Sequence, residues 1–106
     1  MNESYGLVVR FTLRDADAAA AFDALVARTL EGIEAAEPGT LVYVSHRLHD
    51  EPLTRVFYEL YADRASFDAH ERQPHIQRFL AEREQYVSEV EVTFLDAVAG
   101  KVRAQQ

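Results

Sequence analysis

Three side chains in this sequence have the type and setting to move a proton: Glu59, His70 and His75. Glu59 lies in the middle of Arg55 to Ala62 (RVFYELYA), between Phe57 and Tyr61 on an alternating pattern. A carboxyl group on the apolar face of a strand has to be paired, hydrogen-bonded or protonated, and each of these tunes its acidity. An ion pair with Arg78 or Arg83 is the structural explanation, and proton transfer is the chemical one. His70 and His75 flank a break in the stretch His70-Glu71-Arg72-Gln73-Pro74-His75, just after the segment that carries Tyr61. A neutral imidazole there can take a proton from a hydroxyl or an acidic carbon near neutral pH. The competing expectation is that one histidine caps the helix break while the other faces solvent.

Other chemistries fit less well. His46, Glu59, His70 and His75 are metal-ligand types, but five residues across a proline break is not the i,i+4 spacing of a helical zinc site, so no metal is expected. Ser4, Ser45, Ser66 and Ser88 lie outside any nucleophile-elbow context. Four scattered glycines make no phosphate-cradling loop, and the absence of cysteine removes thiolate chemistry and disulfides.

The elements that must position these groups follow from periodicity. Tyr5 to Leu13 alternates, with Leu7, Val9, Phe11 and Leu13 on one face, and reads as a first strand. Asp15 and Asp17 then open a helix whose stripe is Phe22, Leu25, Val26, Thr29, Leu30 and Ile33, stopped by Glu37-Pro38-Gly39. Leu41 to Leu48 and Arg55 to Ala62 form two strands around a loop over 49–54. A simple hairpin about that loop puts Val42, Val44 and His46 on the face of Phe57, Glu59 and Tyr61. The opposite face then carries Leu41, Tyr43, Ser45, Arg47, Val56, Tyr58 and Leu60. Asp63 caps a short helix bearing Phe67 and His70. Pro74 opens another that carries Ile76, Phe79 and Leu80 to about Tyr86. Val90, Val92 and Phe94 alternate in a last strand.

The order β-α-β-β-α-β predicts an α+β, ferredoxin-like fold, a four-stranded antiparallel sheet with its helices on one face. Phe57, Tyr61 and Phe79, with His46 from the neighbouring strand, are placed around a small-molecule cavity between sheet and helices. Large apolar residues on both sheet faces, with helices for only one, point to a homodimer packed through the sheet face.

Composition sets the outer bounds. With 106 residues there is room for one domain, expected to have its core over about 5–98 and a polar tail over 100–106. A net charge of −7 and a pI near 5.0 argue against nucleic acid and anionic membranes as partners. No stretch approaches the roughly 20 apolar residues of a membrane span, and Met1 to Ser4 do not open a signal peptide, so a cytoplasmic location is expected.

The stretches Glu37-Pro38-Gly39-Thr40, Phe57-Tyr58-Glu59-Leu60-Tyr61-Ala62-Asp63, Phe67-Asp68-Ala69-His70 and Pro74-His75 together resemble the antibiotic biosynthesis monooxygenase (ABM) domain family over roughly residues 5–98. That resemblance implies a dimeric α+β barrel. It also implies a monooxygenase that oxidises quinols or polyketide-like hydroxylated aromatics with O2 as co-substrate, without flavin, metal or other cofactor. His70 and His75 match the family's histidine pair, and Glu59 and Tyr61 its third-strand acid and aromatic, where relatives usually have tryptophan. The positions that serve haem degradation in the same superfamily, an asparagine, a tryptophan and the iron-ligating histidine, hold Val9, Tyr61 and Leu80 here, so the resemblance implies no haem degradation. A non-catalytic binding barrel, and an isomerase or degrading enzyme for a small oxygenated metabolite, remain the alternatives.

Overall fold

Asp15 sets where the first helix begins: its side chain accepts a hydrogen bond from the Ala18 backbone N–H at 2.8 Å, in the manner of an N-cap. Asp63 does the same for the second helix through the Ser66 N–H at 2.7 Å, and Pro74 occupies the first turn of the third. The computed structural model describes residues 3–102, so residues 103–106 of the expected polar tail lie outside the described residues. Its elements are β1 (Tyr5–Leu13), α1 (Ala16–Ala36), β2 (Thr40–Leu48), β3 (Glu51–Tyr61), α2 (Arg64–Glu71), α3 (Pro74–Glu82), a 3₁₀ turn at Arg83–Gln85, and β4 (Val87–Asp96). All strands pair antiparallel in the order β2-β3-β1-β4, the α+β, ferredoxin-like arrangement that the element order predicts.

The core lies between the sheet and the helices. Leu7, Val9, Phe11 and Leu13 of β1 are buried against Phe22, Leu25 and Val26 of α1 and Phe79 of α3. Phe11, Phe22, Phe57 and Phe79 stack as one ring cluster with centroids 4.9–6.4 Å apart, mostly tilted or edge-on, as aromatic quadrupoles prefer. No helix of the described residues is long and apolar enough to cross a membrane.

The β2–β3 hairpin corrects the sequence reading. Its turn is only His49–Asp50, and β3 starts at Glu51 rather than Arg55. The register shifts between Arg47, which pairs with Arg55, and Leu48, which pairs with Glu51. β3 carries three extra residues across this step, and the pairing beyond it sets Tyr43 rather than Val44 opposite Glu59, one residue away from a simple hairpin. A one-residue difference in pairing exchanges the two faces of a strand. Tyr43, Ser45 and Arg47 therefore share the helix side with Glu59, Phe57 and Arg55, while Val42, Val44 and His46 point away. His46, expected at the cavity, is exposed on the helix-free face, where Nδ1 donates to the Val56 carbonyl at 3.0 Å.

The helix-free face stays apolar with different members: Val44 and Tyr58 are exposed there, beside Val56 and Leu60. The helices also stop short of the β4 edge. Val90, Val92 and Phe94 pair with Phe11, Val9 and Leu7 and so face the helix side, yet Phe94 remains 56% exposed.

Candidate active site

α1 ends on Glu37, whose backbone N–H still bonds to the Ile33 carbonyl while its side chain turns inward. That carboxylate is buried and gathers three donors. Nδ1 of His70 lies 2.6 Å from Oε1, Thr40 Oγ1 donates to the same oxygen at 2.7 Å, and Nε2 of His75 reaches Oε2. Two glycines make this approach possible. A Cβ on Gly32 would fall 2.4 Å from Cγ of His75, and one on Gly39 would fall 2.3 Å from Oγ of Ser66. Only a missing side chain lets α1 lie against the His75 ring and the start of β2 lie against α2.

Burial pushes the Glu37 carboxyl up, but the hydrogen bonds from His70, Thr40 and His75 more than offset it and hold the group below its ordinary value. It is thus a carboxylate, which only accepts, so Nδ1 of His70 and Nε2 of His75 must carry the hydrogens. Nε2 of His70 is left without a hydrogen bond to protein. No buried side-chain nitrogen or oxygen among the described residues lacks a partner, so this atom is not sealed off, and the His70 ring lines an adjoining space.

That space is a cavity of about 200 Å3 between the sheet and α2–α3. Leu7, Val9, Phe67, Phe79, Val92 and Phe94 supply its apolar wall, and Tyr43, Glu59, His70, Glu71 and Arg83 its polar groups. The His70 ring is wedged among Tyr61 at 5.0 Å, Tyr43 at 5.6 Å and Phe67 at 6.4 Å. Glu59 is buried and accepts the Tyr61 hydroxyl at 2.6 Å, so its partner is a phenol rather than Arg78 or Arg83. Burial raises its pKa, and the Tyr61 hydrogen bond and the His70 charge only partly counter this. The phenols of Tyr43 and Tyr61 are also pushed up, chiefly by burial and then by the Glu59 charge.

The structure brings Glu59, His70 and Phe79 to the cavity. It does not bring Phe57 or Tyr61, which are fully buried behind its wall, nor His75, which is committed to Glu37, nor His46. Neither histidine matches the expectation of one helix cap and one solvent-exposed ring. Sequence reasoning missed Glu37 as a chemical group, having used it only as a helix stop. Its signal lay in the very stretch Glu37-Pro38-Gly39-Thr40, where the carboxylate and the Thr40 hydroxyl stand three residues apart. Tyr43 was missed because its face depends on the hairpin irregularity, and Arg83 was weighed only as a partner for Glu59. Among the described residues no group of three or more His, Cys, Asp or Glu side chains is arranged to hold a metal ion.

The family model for antibiotic biosynthesis monooxygenase matches residues 4–82. The chain belongs to this ABM family. Solved structures agree on the fold. A Caulobacter crescentus protein assigned to the same family superposes with a TM-score of 0.85 at 24% identity, covering 92% of each chain. Rv0793 of Mycobacterium tuberculosis gives 0.82 at 26% identity over 92% of this chain and 97% of that one. SnoaB of Streptomyces nogalater, a cofactor-independent oxygenase, gives 0.79 at 22% identity over 92% and 96%. No curated protein matches the chain. As an ABM protein it has its polar cluster and cavity on the helix side of the sheet, within the matched residues apart from Arg83 and the β4 wall.

Proposed function

We propose that this ABM protein is a cofactor-independent monooxygenase acting on a small quinol or hydroxylated aromatic. The observation that carries the reading is the free Nε2 of His70, held towards an apolar cavity while Nδ1 is anchored to a buried carboxylate. In this reading Nε2 takes the proton from a ring hydroxyl or an activated ring carbon, and Glu37 stabilises the imidazolium that forms. The electron-rich anion then reduces O2 directly. One oxygen atom becomes a carbonyl at the ring carbon that is CH2 in the substrate's keto tautomer and the other leaves as water, so CH2 plus O2 yields C=O plus H2O. The apolar wall excludes bulk water from that step. Glu59, with its raised proton affinity, hydrogen-bonds a second substrate oxygen. Glu37 and His75 are positioning residues, since neither lines the cavity. About 200 Å3 lies below the ~300–1,000 Å3 of sites for drug-sized ligands, which favours one or two rings over larger polyketides. The active form is proposed to be a homodimer joined through the helix-free sheet face, where Val44 and Tyr58 are exposed.

The experiment is oxygen uptake by protein free of flavin and iron, offered a panel of one- and two-ring quinols, with anthrones as the larger comparison. Uptake that falls at least about 100-fold in His70→Ala is the expected result, since general-base catalysis contributes roughly 10²–10⁴-fold. No uptake across the panel, or uptake unchanged in His70→Ala, overturns the reading. Turnover that continues without oxygen transfers the site to an isomerase.

A further inference from the structure

Arg83 follows α3 and extends over the cavity. Its guanidinium carbon sits 5.4 Å from the centre of the Phe11 ring and 5.8 Å from that of Phe79. Arg10, Arg28, Arg55 and Arg64 each pair with a carboxylate, and Arg14, Arg47, Arg72 and Arg78, which form no ion pair with the described residues, are exposed to water. Arg83 is not exposed, yet makes no ion pair and no side-chain hydrogen bond with the described residues. It is half-buried, and burial lowers its pKa. The guanidinium nonetheless stays charged in proteins. The titratable groups whose fields reach it are Tyr43, Glu84, Glu71 and Glu59, none close enough to neutralise it directly. A cation stacked on two aromatic rings, lining an apolar cavity and lacking a counter-ion, has its five donors available to whatever enters. The same cavity holds the open nitrogen of His70. In a chain of net charge −7, a positive group at this place is a local selection against the overall field.

We propose that Arg83 is the oxyanion-binding residue of the cavity and that the ligand is an aromatic hydroxyl compound held as its phenolate. This rests on the reading of His70 as proton acceptor. The O–H bond breaks, its electron pair stays on oxygen, the proton goes to Nε2 of His70, and the oxyanion pairs with the guanidinium. Arg83 thus selects ring compounds with an acidic hydroxyl and rejects neutral ethers of the same shape, which leave the cation unpaired.

The test is anaerobic titration with 4-nitrophenol, which absorbs in the visible only when ionised. The expected result is saturable binding in which the bound probe ionises at lower pH than the free probe. Arg83→Gln should lose that shift and weaken phenolate binding about 10-fold or more. Arg83→Lys should restore part of both, separating charge from a fold defect, and Arg78→Gln, exposed on α3 outside the cavity, should change neither. Absence of saturable binding, a probe bound neutral, or an Arg83→Gln protein that keeps the shift overturns the proposal. The two readings fail separately. An Arg83-dependent shift without oxygen uptake retains the anion site and removes the monooxygenase. Oxygen uptake with a probe indifferent to Arg83 does the reverse.

Discussion

Glu37 and Glu59 are both buried, both belong to the surroundings of His70, and their acidities move in opposite directions. Glu37 sits at the junction of α1, β2, α2 and α3, where two imidazoles and a hydroxyl converge on its oxygens. Glu59 stands in the middle of a strand and accepts one phenol from two residues along the same strand. Burial penalises the charged form at both sites and more heavily at Glu59. The number of donors widens the difference. Three directed hydrogen bonds more than replace the lost water around Glu37, and one does not do so for Glu59. The junction therefore favours a fixed carboxylate that orients His70, and the strand site favours a carboxyl that retains its proton to higher pH.

Four substitutions bear on this contrast, from the largest expected effect to the smallest, and Glu37→Gln joins the last of them for the pH comparison. Glu37→Ala should destabilise the fold most, by about 3–5 kcal/mol in urea unfolding, because it strands buried donors from two histidines and a threonine. A loss below about 1 kcal/mol would mean that the junction does not hold the helices. Gly32→Ala should come next, at about 1–2 kcal/mol. Its Cβ would displace the His75 ring and break the contact with Glu37, while better helix propensity returns part of the cost. NMR should show the His75 side-chain signals move in that variant, and unmoved signals would refute the close-packing account.

Tyr61→Phe should cost about 1 kcal/mol, the net worth of one hydrogen bond. It should also raise the Glu59 pKa further, because the hydroxyl is what lowers it. Carboxyl NMR titration reads this directly, and a fall in that pKa would contradict the assignment. Glu59→Gln should cost least, about 1 kcal/mol or less, since the amide keeps the shape and the Tyr61 contact. Its value lies in the pH dependence. The Glu37 contribution is present above the ordinary value of 4.5 and lost as pH falls through the lowered folded value. The Glu59 contribution is present below 4.5 and lost as pH rises through the raised folded value. Stability relative to wild type should therefore rise with pH for Glu59→Gln and fall with pH for Glu37→Gln, each within its own window. Slopes of the same sign would dissolve the contrast.

Much of the fold was legible because its signals are local. The Tyr5–Leu13 alternation, the Asp15 and Asp63 caps, the Glu37-Pro38-Gly39 stop and Pro74 each act within a few residues. The helix-side position of Glu59 and the approach of His70 followed from the same patterns. The errors concentrate where pairing between strands decides. His46 and Tyr43 exchanged faces because one irregularity at Arg47–Leu48 shifts the register, and a six-residue polar stretch carries no mark of it.

Sequence by itself determined the α+β element order, the apolar face of β1 and the presence of a carboxylate and a histidine pair near one end of the sheet. Tertiary structure alone decided which histidine opens onto the cavity. His70 and His75 are five residues apart in the chain, yet the carboxylate that sorts them lies 33 and 38 residues away, at the end of α1. Hydrogen bonds to Glu37 fix one nitrogen of each ring, and of the two histidines packing brings only His70 to the wall of the cavity. Periodicity reports which side of an element a residue occupies. The donors that reach a buried charge depend on how separate elements dock, and so the Glu59, His70 and His75 of the sequence became a site built on Glu37.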